Sequence, residues 1–234
     1  INMIEEISVS NILVRIPLAD FDNIDNYINF ITLLKSKDIL VCILQDRAHI
    51  ENMQLTNEKL EFIFTKLHNF VDKFQIGNSI NRKKWSFTSI DEYFSFFKIA
   101  YELKKNKFPK IKLLGSSIID FDIPFYARSI FHLRSIYYDG IATQLYVDRR
   151  GNPEKKQFGF DTLSKIKTYA ALAQASTKTS NRLYITEVNW ALKNMGIWAP
   201  AKNYLTEESF QSRYLVRYFL LMLASGKVEK CYWH

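Results

Sequence analysis

The stretch FQIGNSINRKKWSFTSIDEYFSFFKIAYELKKNKFPKIKLL, residues 74–114, contains two strand-like runs separated by one amphipathic helix. Phe74–Ile76 and Ile111–Leu114 are short, continuous apolar runs, which are typical of parallel strands buried on both faces. Between them, Ser89 and Glu92 form a capping box that predicts the start of a helix. The stretch therefore predicts one strand–helix–strand unit of a parallel sheet.

The same alternation continues over the whole chain of 234 residues. The predicted strands are Ile12–Ile16, Ile39–Leu44, Phe74–Ile76, Ile111–Leu114, Gly140–Tyr146, Leu183–Thr186 and Val228–Trp233. Helices are predicted from about Ile24 to Lys35, after Asn57, after Ser89, from Pro124 and after a cap at Asp161. A final helix is predicted with Thr206 as its cap, and it ends before Gly226.

This alternation fits an open doubly wound sheet or a closed (β/α)₈ barrel. An open sheet usually has a glycine-rich first turn for a nucleotide. The chain has 7 glycines and neither a GxGxxG nor a GxxxxGK motif, so the TIM barrel is favoured. Residues 1–10 are too few for a strand and a helix, and we expect them to be the end of the first helix. We predict one domain over residues 1–234, a TIM barrel that is N-terminally incomplete and lacks the first of its eight strands.

Composition excludes several classes of protein. Apolar residues make up 47% of the chain and charged residues 24%, which excludes a disordered chain. The net charge is +8, but the basic residues are scattered and no nucleic-acid motif accompanies them, so no nucleic-acid partner is expected. A basic scaffold that binds nucleic acid or a surface is the weakest of three hypotheses. The oligomeric state is left open.

No cofactor, metal or membrane span is predicted. Cys42 and Cys231 lie in separate apolar runs without ligand spacing, and both are expected to be buried thiols. The longest apolar run, around residues 214–224, is interrupted by Arg217. The cytoplasm is the favoured compartment, although the chain begins at Ile1 rather than Met and an upstream signal is not excluded.

Polar and aromatic side chains follow the predicted strands, where TIM barrels place their active sites. These positions are Arg15, Gln45–Arg47, Gly77–Arg82, Ser116 and Ser117 with Asp120 and Asp122, Gln144, Tyr146, Asp148, Glu187–Trp190, and Trp233 with His234. The mixture of carboxylates, amides and aromatic rings is typical of a sugar-binding site.

Two of these segments resemble motifs of the clan A glycoside hydrolases. Residues 74–81, FQIGNSIN, resemble the strand-four motif, in which an Asn-Glu pair ends the strand. Residues 184–190, YITEVNW, resemble the strand-seven motif, whose glutamate is the nucleophile. The nearest resemblance is to the β-xylosidase-like family 39 and related bacterial polysaccharide-locus proteins. It covers nearly the whole chain in order and spacing.

The resemblance implies a retaining site, in which two carboxyl groups lie about 5–5.5 Å apart. It implies that Glu187 is the nucleophile and that Asn78 binds the sugar 2-hydroxyl. Arg15 and Tyr146 would hold and orient the Glu187 carboxylate. Trp233 would form the floor of the sugar subsite.

Ser79 occupies the position of the expected acid/base glutamate. A serine hydroxyl is not a general acid near neutral pH, so most of the typical 10²–10⁴-fold contribution would be lost. Only Asp120 and Asp122 are plausible replacements, and both are also plausible helix caps. Gln144 likewise occupies a position where many relatives have histidine.

The sequence leaves two main hypotheses open. The first is a glycosidase with an impaired or atypical acid/base that acts on an oligosaccharide or bacterial surface polysaccharide. The second is a carbohydrate-binding pseudoenzyme. Trp190 is a further substrate-binding candidate, and it shares with Trp85 and Trp198 the alternative of a packing role. His132 is expected on the helix after Pro124 in a structural role, and His49 and His68 are expected at the surface.

Overall fold

A computed structural model describes residues 2–148, 151–193 and 205–234. Seven parallel strands form a single sheet in which each strand pairs with the next one along the chain. They are β1 (Asn11–Pro17), β2 (Asp38–Leu44), β3 (Lys73–Ile76), β4 (Lys112–Ile119), β5 (Gly140–Gln144), β6 (Leu183–Val188) and β7 (Val228–Trp233).

One short helix precedes β1, and the others lie between consecutive strands in the manner of a β/α barrel. They are α1 (Asn2–Glu6), α2 (Ile24–Leu33), α3 (Arg47–Glu51), α4 (Met53–Leu67), α5 (Ile90–Asn106), α6 (Ile123–Ile130), α7 (Thr162–Ala175) and α8 (Glu208–Ser225). Short 3-10 helices cover Leu18–Asn23 and Lys83–Trp85. The sheet curves into a barrel that lacks one strand, as the sequence predicted. The short α1 at residues 2–6 also fits the predicted end of a first helix.

Two predicted helix starts were wrong. Helix α4 begins before Asn57, because the Asn52 side chain accepts a hydrogen bond from the Leu55 amide (3.0 Å) and caps the helix there. Helix α8 begins at Glu208 with Glu207, and not the predicted Thr206, at its N-cap, because the Thr206 amide is bound to the Ala191 carbonyl (2.8 Å) in a short parallel bridge. Asp161 caps α7 as predicted, through the Ser164 amide (2.8 Å).

Strand β4 is longer than predicted because it contains an irregularity. Its pairing with β5 shifts register between Gly115 and Ile118, and Ser116 has a positive φ of 64°. The Ser116 amide is bound to the Tyr93 hydroxyl at 2.8 Å. Ser116 and Ser117 are thus buried inside the strand, whereas the sequence predicted them at its end.

Two predicted histidine environments were also wrong. His49 is 7% exposed rather than at the surface, because Asp46 caps α3 and its carboxylate also binds His49 Nδ1 at 2.7 Å. His132 lies beyond the end of α6, where its ring packs against Phe94. Cys42 is buried, Cys231 is partly buried, and both are free thiols.

Apolar side chains pack on both faces of the sheet. The larger cluster lies between the sheet and the helices. A smaller cluster on the inner face consists of Leu40, Leu114, Ala142, Tyr184 and Tyr232, with Leu13 against it. Since side chains alternate along a strand, Arg15 and Gln144, two residues after Leu13 and Ala142, also lie on the inner face. The inner face therefore changes from apolar to polar toward the carboxyl ends of the strands.

A seam separates β1 from β7. Among the described strands, β1 pairs only with β2 and β7 only with β6. An open, mainly apolar groove of about 940 Å³ lies along this seam. Lys230 of β7 crosses it near the amino ends of the strands to reach Asp38 of β2 (2.9 Å) and Asn11 of β1. Side chains thus connect the two edges where no strand ladder does.

No helix in the described ranges is both long and apolar enough to cross a membrane.

Candidate active site

Glu187 lies at the carboxyl end of the barrel and is bound by three side chains. Arg15 donates a hydrogen bond to Oε2 and forms an ion pair with it. Gln144 Nε2 donates to the same oxygen at 3.1 Å, and the Tyr146 hydroxyl donates to Oε1. The Glu187 side chain is 12% exposed, so its charge is held mainly by protein groups. The structure thus brings together four of the residues singled out in the sequence.

Local backbone irregularity accompanies the position of Glu187. The sequence predicted a strand ending at Thr186, but β6 continues to Val188 and includes Glu187. Its pairing with β7 shifts register between Ile185 and Val188, which brackets Glu187. Such irregularities bend a strand and redirect a side chain, as is common beside active sites.

Arg15 connects the two sides of the seam at the carboxyl end. It belongs to β1, whereas Glu187 belongs to β6, and no ladder joins β1 to β7. Arg15 Nη1 also lies 3.0 Å from Nε2 of His234. An arginine on a partly buried strand must have compensating partners, and Glu187 and His234 supply them.

His234 is a site residue that the sequence did not single out for a role. Its amide donates to the Val188 carbonyl (3.0 Å), and its carbonyl accepts from Asn189 Nδ2 (2.9 Å). Burial, followed by the charge of Arg15, lowers the pKa of His234, and the charge of Glu187 opposes this effect. Because arginine can only donate, a neutral Nε2 is the acceptor of its N–H. The position at the end of β7 was the only available sequence signal.

Four buried amides form a cluster beside Glu187, comprising Gln45, Gln75, Asn78 and Gln144, which we call the amide cluster. Asn78 Oδ1 accepts hydrogen bonds from Gln144 Nε2 and from Gln75 Nε2 (3.2 Å). Gln45 binds both the amide and the carbonyl of Asn78 at 2.9 Å. Asn78 is 2% exposed, and its Nδ2 has no partner among the described residues. The cluster therefore fixes Asn78 and leaves one donor unused.

Ser79 is held in the amide cluster rather than directed into open space. Its hydroxyl donates to Gln144 Oε1 at 2.5 Å, and the residue is 1% exposed. Its φ of 49° lies in the left-handed region, two residues after Gly77 at 82°. Since Gln144 also binds Glu187, one amide group connects the Ser79 hydroxyl to the Glu187 carboxylate.

Two tryptophans pack near the carboxyl ends of β6 and β7, on the face of the sheet that is turned toward the helices. Trp233 is partly exposed and stacks on Trp190, with 5.8 Å between ring centroids and 21° between ring planes. Trp190 is 1% exposed, and its Nε1 donates to the Gly151 carbonyl at 2.8 Å. The Trp190 ring therefore lies behind Trp233 and supports it. Trp198 is outside the described residues.

Asp120 and Asp122 are both engaged elsewhere. Asp120 forms an ion pair with Arg82 at 2.7 Å. Asp122 caps α6 through the Phe125 amide (3.1 Å) and accepts a hydrogen bond from Asn81 Nδ2 (3.0 Å). Neither is among the groups that bind Glu187. Within the described ranges, no group of three or more His, Cys, Asp or Glu side chains could hold a metal ion.

No protein-family model and no curated protein sequence matches the chain. Solved structures do. A glucosidase from Croceicoccus marinus matches with a TM-score of 0.70 and 16% identity, over 90% of this chain and 44% of its own. A family 39 glycoside hydrolase from Bacteroides cellulosilyticus WH2 matches with a TM-score of 0.70 and 12% identity, over 99% of this chain and 52% of its own. A β-glucosidase from Thermotoga maritima matches with a TM-score of 0.69 and 10% identity, over 99% of this chain and 74% of its own.

The fold is a TIM barrel lacking one strand, and it is similar to the barrels of these glycosidases. The chain spans about half the length of the first two of these structures. At 10–16% identity, the likeness establishes the fold and not the function.

Proposed function

We propose that this chain is a retaining-type glycosidase in which Glu187 is the nucleophile. The observation that carries the proposal is the binding of Glu187 by Arg15, Gln144 and Tyr146 at the carboxyl end of the barrel. A nucleophilic carboxylate has to be ionised and fixed in orientation to attack an anomeric carbon. Arg15 supplies the countercharge, and the other two side chains fix the carboxylate plane.

The neighbouring groups support a sugar as the substrate. The unused Nδ2 donor of Asn78 is suited to a sugar hydroxyl, because a buried amide donor gains most when a ligand satisfies it. An oligosaccharide or a bacterial surface polysaccharide would supply this sugar, with β-glucosyl and β-xylosyl units as the first candidates.

The second candidate function is carbohydrate binding without catalysis. The observation that favours it is Ser79, which stands where a proton donor is expected and is hydrogen-bonded to Gln144 instead. A pseudoenzyme would bind saccharides at the same site, through donors such as Asn78 Nδ2, without cleaving them.

Covalent labelling distinguishes the two functions. The protein is incubated with 2-deoxy-2-fluoro-β-glucosyl and β-xylosyl fluorides, which trap a glycosyl-enzyme intermediate because the second step becomes slow. We expect a mass increase of one fluorosugar, located by peptide mapping on Glu187 and absent in Glu187→Gln. Glu229→Gln, an exposed site on β7, is the matched control and should label like the parent protein.

No labelling, together with oligosaccharide binding in isothermal titration, would establish the pseudoenzyme. Labelling on another residue would refute the role of Glu187. Neither labelling nor binding would refute both sugar functions.

A further inference from the structure

No second carboxylic acid is among the described hydrogen-bond partners of Glu187. The described hydrogen bonds and ion pairs of Glu187 come from Arg15, Gln144 and Tyr146, none of which is an acid of suitable strength. The segments outside the described ranges, residues 149–150 and 194–204, contain no Asp or Glu in their sequence. Any carboxyl donor within residues 1–234 would therefore have to be one of the described residues.

The acidic side chains that follow the other strands have different partners. Asp46 binds His49, Asp120 binds Arg82, and Asp122 caps α6. Asp148 interacts electrostatically with the buried Lys165. The position of the expected donor is occupied by Ser79, whose hydroxyl already donates to Gln144 at 2.5 Å. A serine hydroxyl has no useful acidity near neutral pH, so the leaving group would have to depart without a proton.

The loop that follows Ser79 carries positive charge. Arg82, Lys83 and Lys84 are exposed, and only Arg82 forms an ion pair in the described part of the chain. The Arg82 amide is bound to the Ser79 carbonyl at 2.9 Å, so this loop begins at the site. Gln45 of the amide cluster also holds the Trp85 carbonyl at 2.6 Å. Lys83 and Lys84, which form no ion pair in the described part of the chain, therefore favour binding of a negatively charged group beside the candidate active site.

We propose that this site cleaves glycosides whose leaving group departs as a weakly basic oxyanion, as in the glycosyl esters of phosphoric or carboxylic acids. The inference rests on the proposed function of Glu187. In the first step Glu187 forms a bond to the anomeric carbon, the bond from that carbon to the leaving oxygen breaks, and the oxygen keeps the electron pair as an anion. In the second step water attacks the same carbon, the bond to Glu187 breaks, and the proton of water goes to solvent. In this reaction the saccharide of the proposed function supplies the glycosyl group, which is transferred first to Glu187 and then to water.

The first test is a series of aryl β-glycosides whose phenols have pKa values from about 4 to about 10. Without acid assistance, most of the leaving-group charge develops in the transition state. We expect kcat/KM to fall about tenfold for each unit of phenol pKa. A shallow dependence, or hydrolysis of cellobiose or xylobiose at the rate of the best aryl glycoside, would overturn the proposal. A loss of activity in Asp148→Asn confined to the most basic phenols would also overturn it, since Asp148 would then be the donor.

The second test measures release of phosphate from β-glucosyl and β-xylosyl 1-phosphate, and of benzoate from the 1-O-benzoyl sugars. We expect retention of anomeric configuration and dependence on Glu187, and the preferred ester identifies the acid. Lys83→Ala/Lys84→Ala should lower kcat/KM for the phosphates about tenfold and leave neutral aryl glycosides nearly unchanged. Lys98→Ala/Lys105→Ala, which removes two exposed lysines from α5, is the matched control.

Hydrolysis of neither ester would overturn the proposed leaving group. The labelling and the aryl glycoside series distinguish the glycosidase function from the nature of its leaving group. If the fluorosugar labels Glu187 but the aryl series is shallow, the glycosidase function stands and only the leaving-group proposal is refuted. If the fluorosugars do not label Glu187, the proposed function itself is refuted.

Discussion

The ion pair between Arg15 and Glu187 should contribute measurably to folding stability, because it is partly buried and joins β1 to β6 across the seam. The two side chains are 26% and 12% exposed. Opposite charges about 4 Å apart gain roughly 4 kcal/mol at an effective dielectric constant near 20. Desolvation and the ordering of both side chains oppose this gain. We therefore expect a coupling free energy of about 2 kcal/mol, above the 0.2–1 kcal/mol typical of exposed pairs.

A double-mutant cycle measures this coupling. The free energy of unfolding is determined in urea at pH 7.5 for the parent protein, Arg15→Met, Glu187→Gln and the double variant. The exposed pair of Arg217 and Glu154, whose side chains are 42% and 43% exposed, supplies the control cycle. There we expect about 0.5 kcal/mol. A coupling for Arg15 and Glu187 no larger than that of the control would refute the reasoning.

Three further predictions concern stability. Tyr169→Phe should lower the free energy of unfolding in urea by about 2 kcal/mol, because the Tyr169 hydroxyl binds an amide and a carbonyl of the loop after β4. Tyr126→Phe loses one hydrogen bond and should lower it by about half as much. Burial, followed by the charge of Lys178, lowers the pKa of His132 from 6.5 to about 4, so between these pH values the folded state binds fewer protons than the unfolded state. The free energy of unfolding should therefore fall as pH falls from 6.5 toward 4. His132→Asn should reduce this pH dependence in thermal unfolding. Lys230→Met should speed amide exchange in β1 and β7 but not in β3 and β4, and equal exchange in all four strands would contradict a role at the seam.

Most of the fold was predictable from the sequence because parallel strands buried on both faces are continuous apolar runs. Phe74–Ile76 and Val228–Trp233 were predicted within one residue of their observed bounds. Errors occurred where the chain departs from regular geometry. The irregularity after Gly115 extends β4 through two buried serines, which resemble a loop in composition. The cap at Asn52 precedes an apolar pattern that becomes regular only later in α4.

The sequence indicated most residues of the candidate site, but it indicated fewer of the contacts between them. The sequence indicated Glu187, Arg15, Gln144 and Tyr146, and the structure places the last three in contact with the first. Their catalytic roles remain a prediction. The contact of His234 with Arg15 could not be predicted, because a pattern along the chain does not show which side chains meet across a seam. Burial of Trp190 behind Trp233 was equally invisible for that reason.

Arg15 connects the candidate active site to the seam between β1 and β7. Here Arg15 both pairs with the proposed nucleophile and connects the edge strand β1 to β6. Lys230 also crosses the seam, but it lies near the amino ends of the strands, away from Glu187. Substitution of Arg15 should therefore reduce stability and glycosyl transfer to Glu187 together, whereas substitution of Lys230 should reduce stability alone.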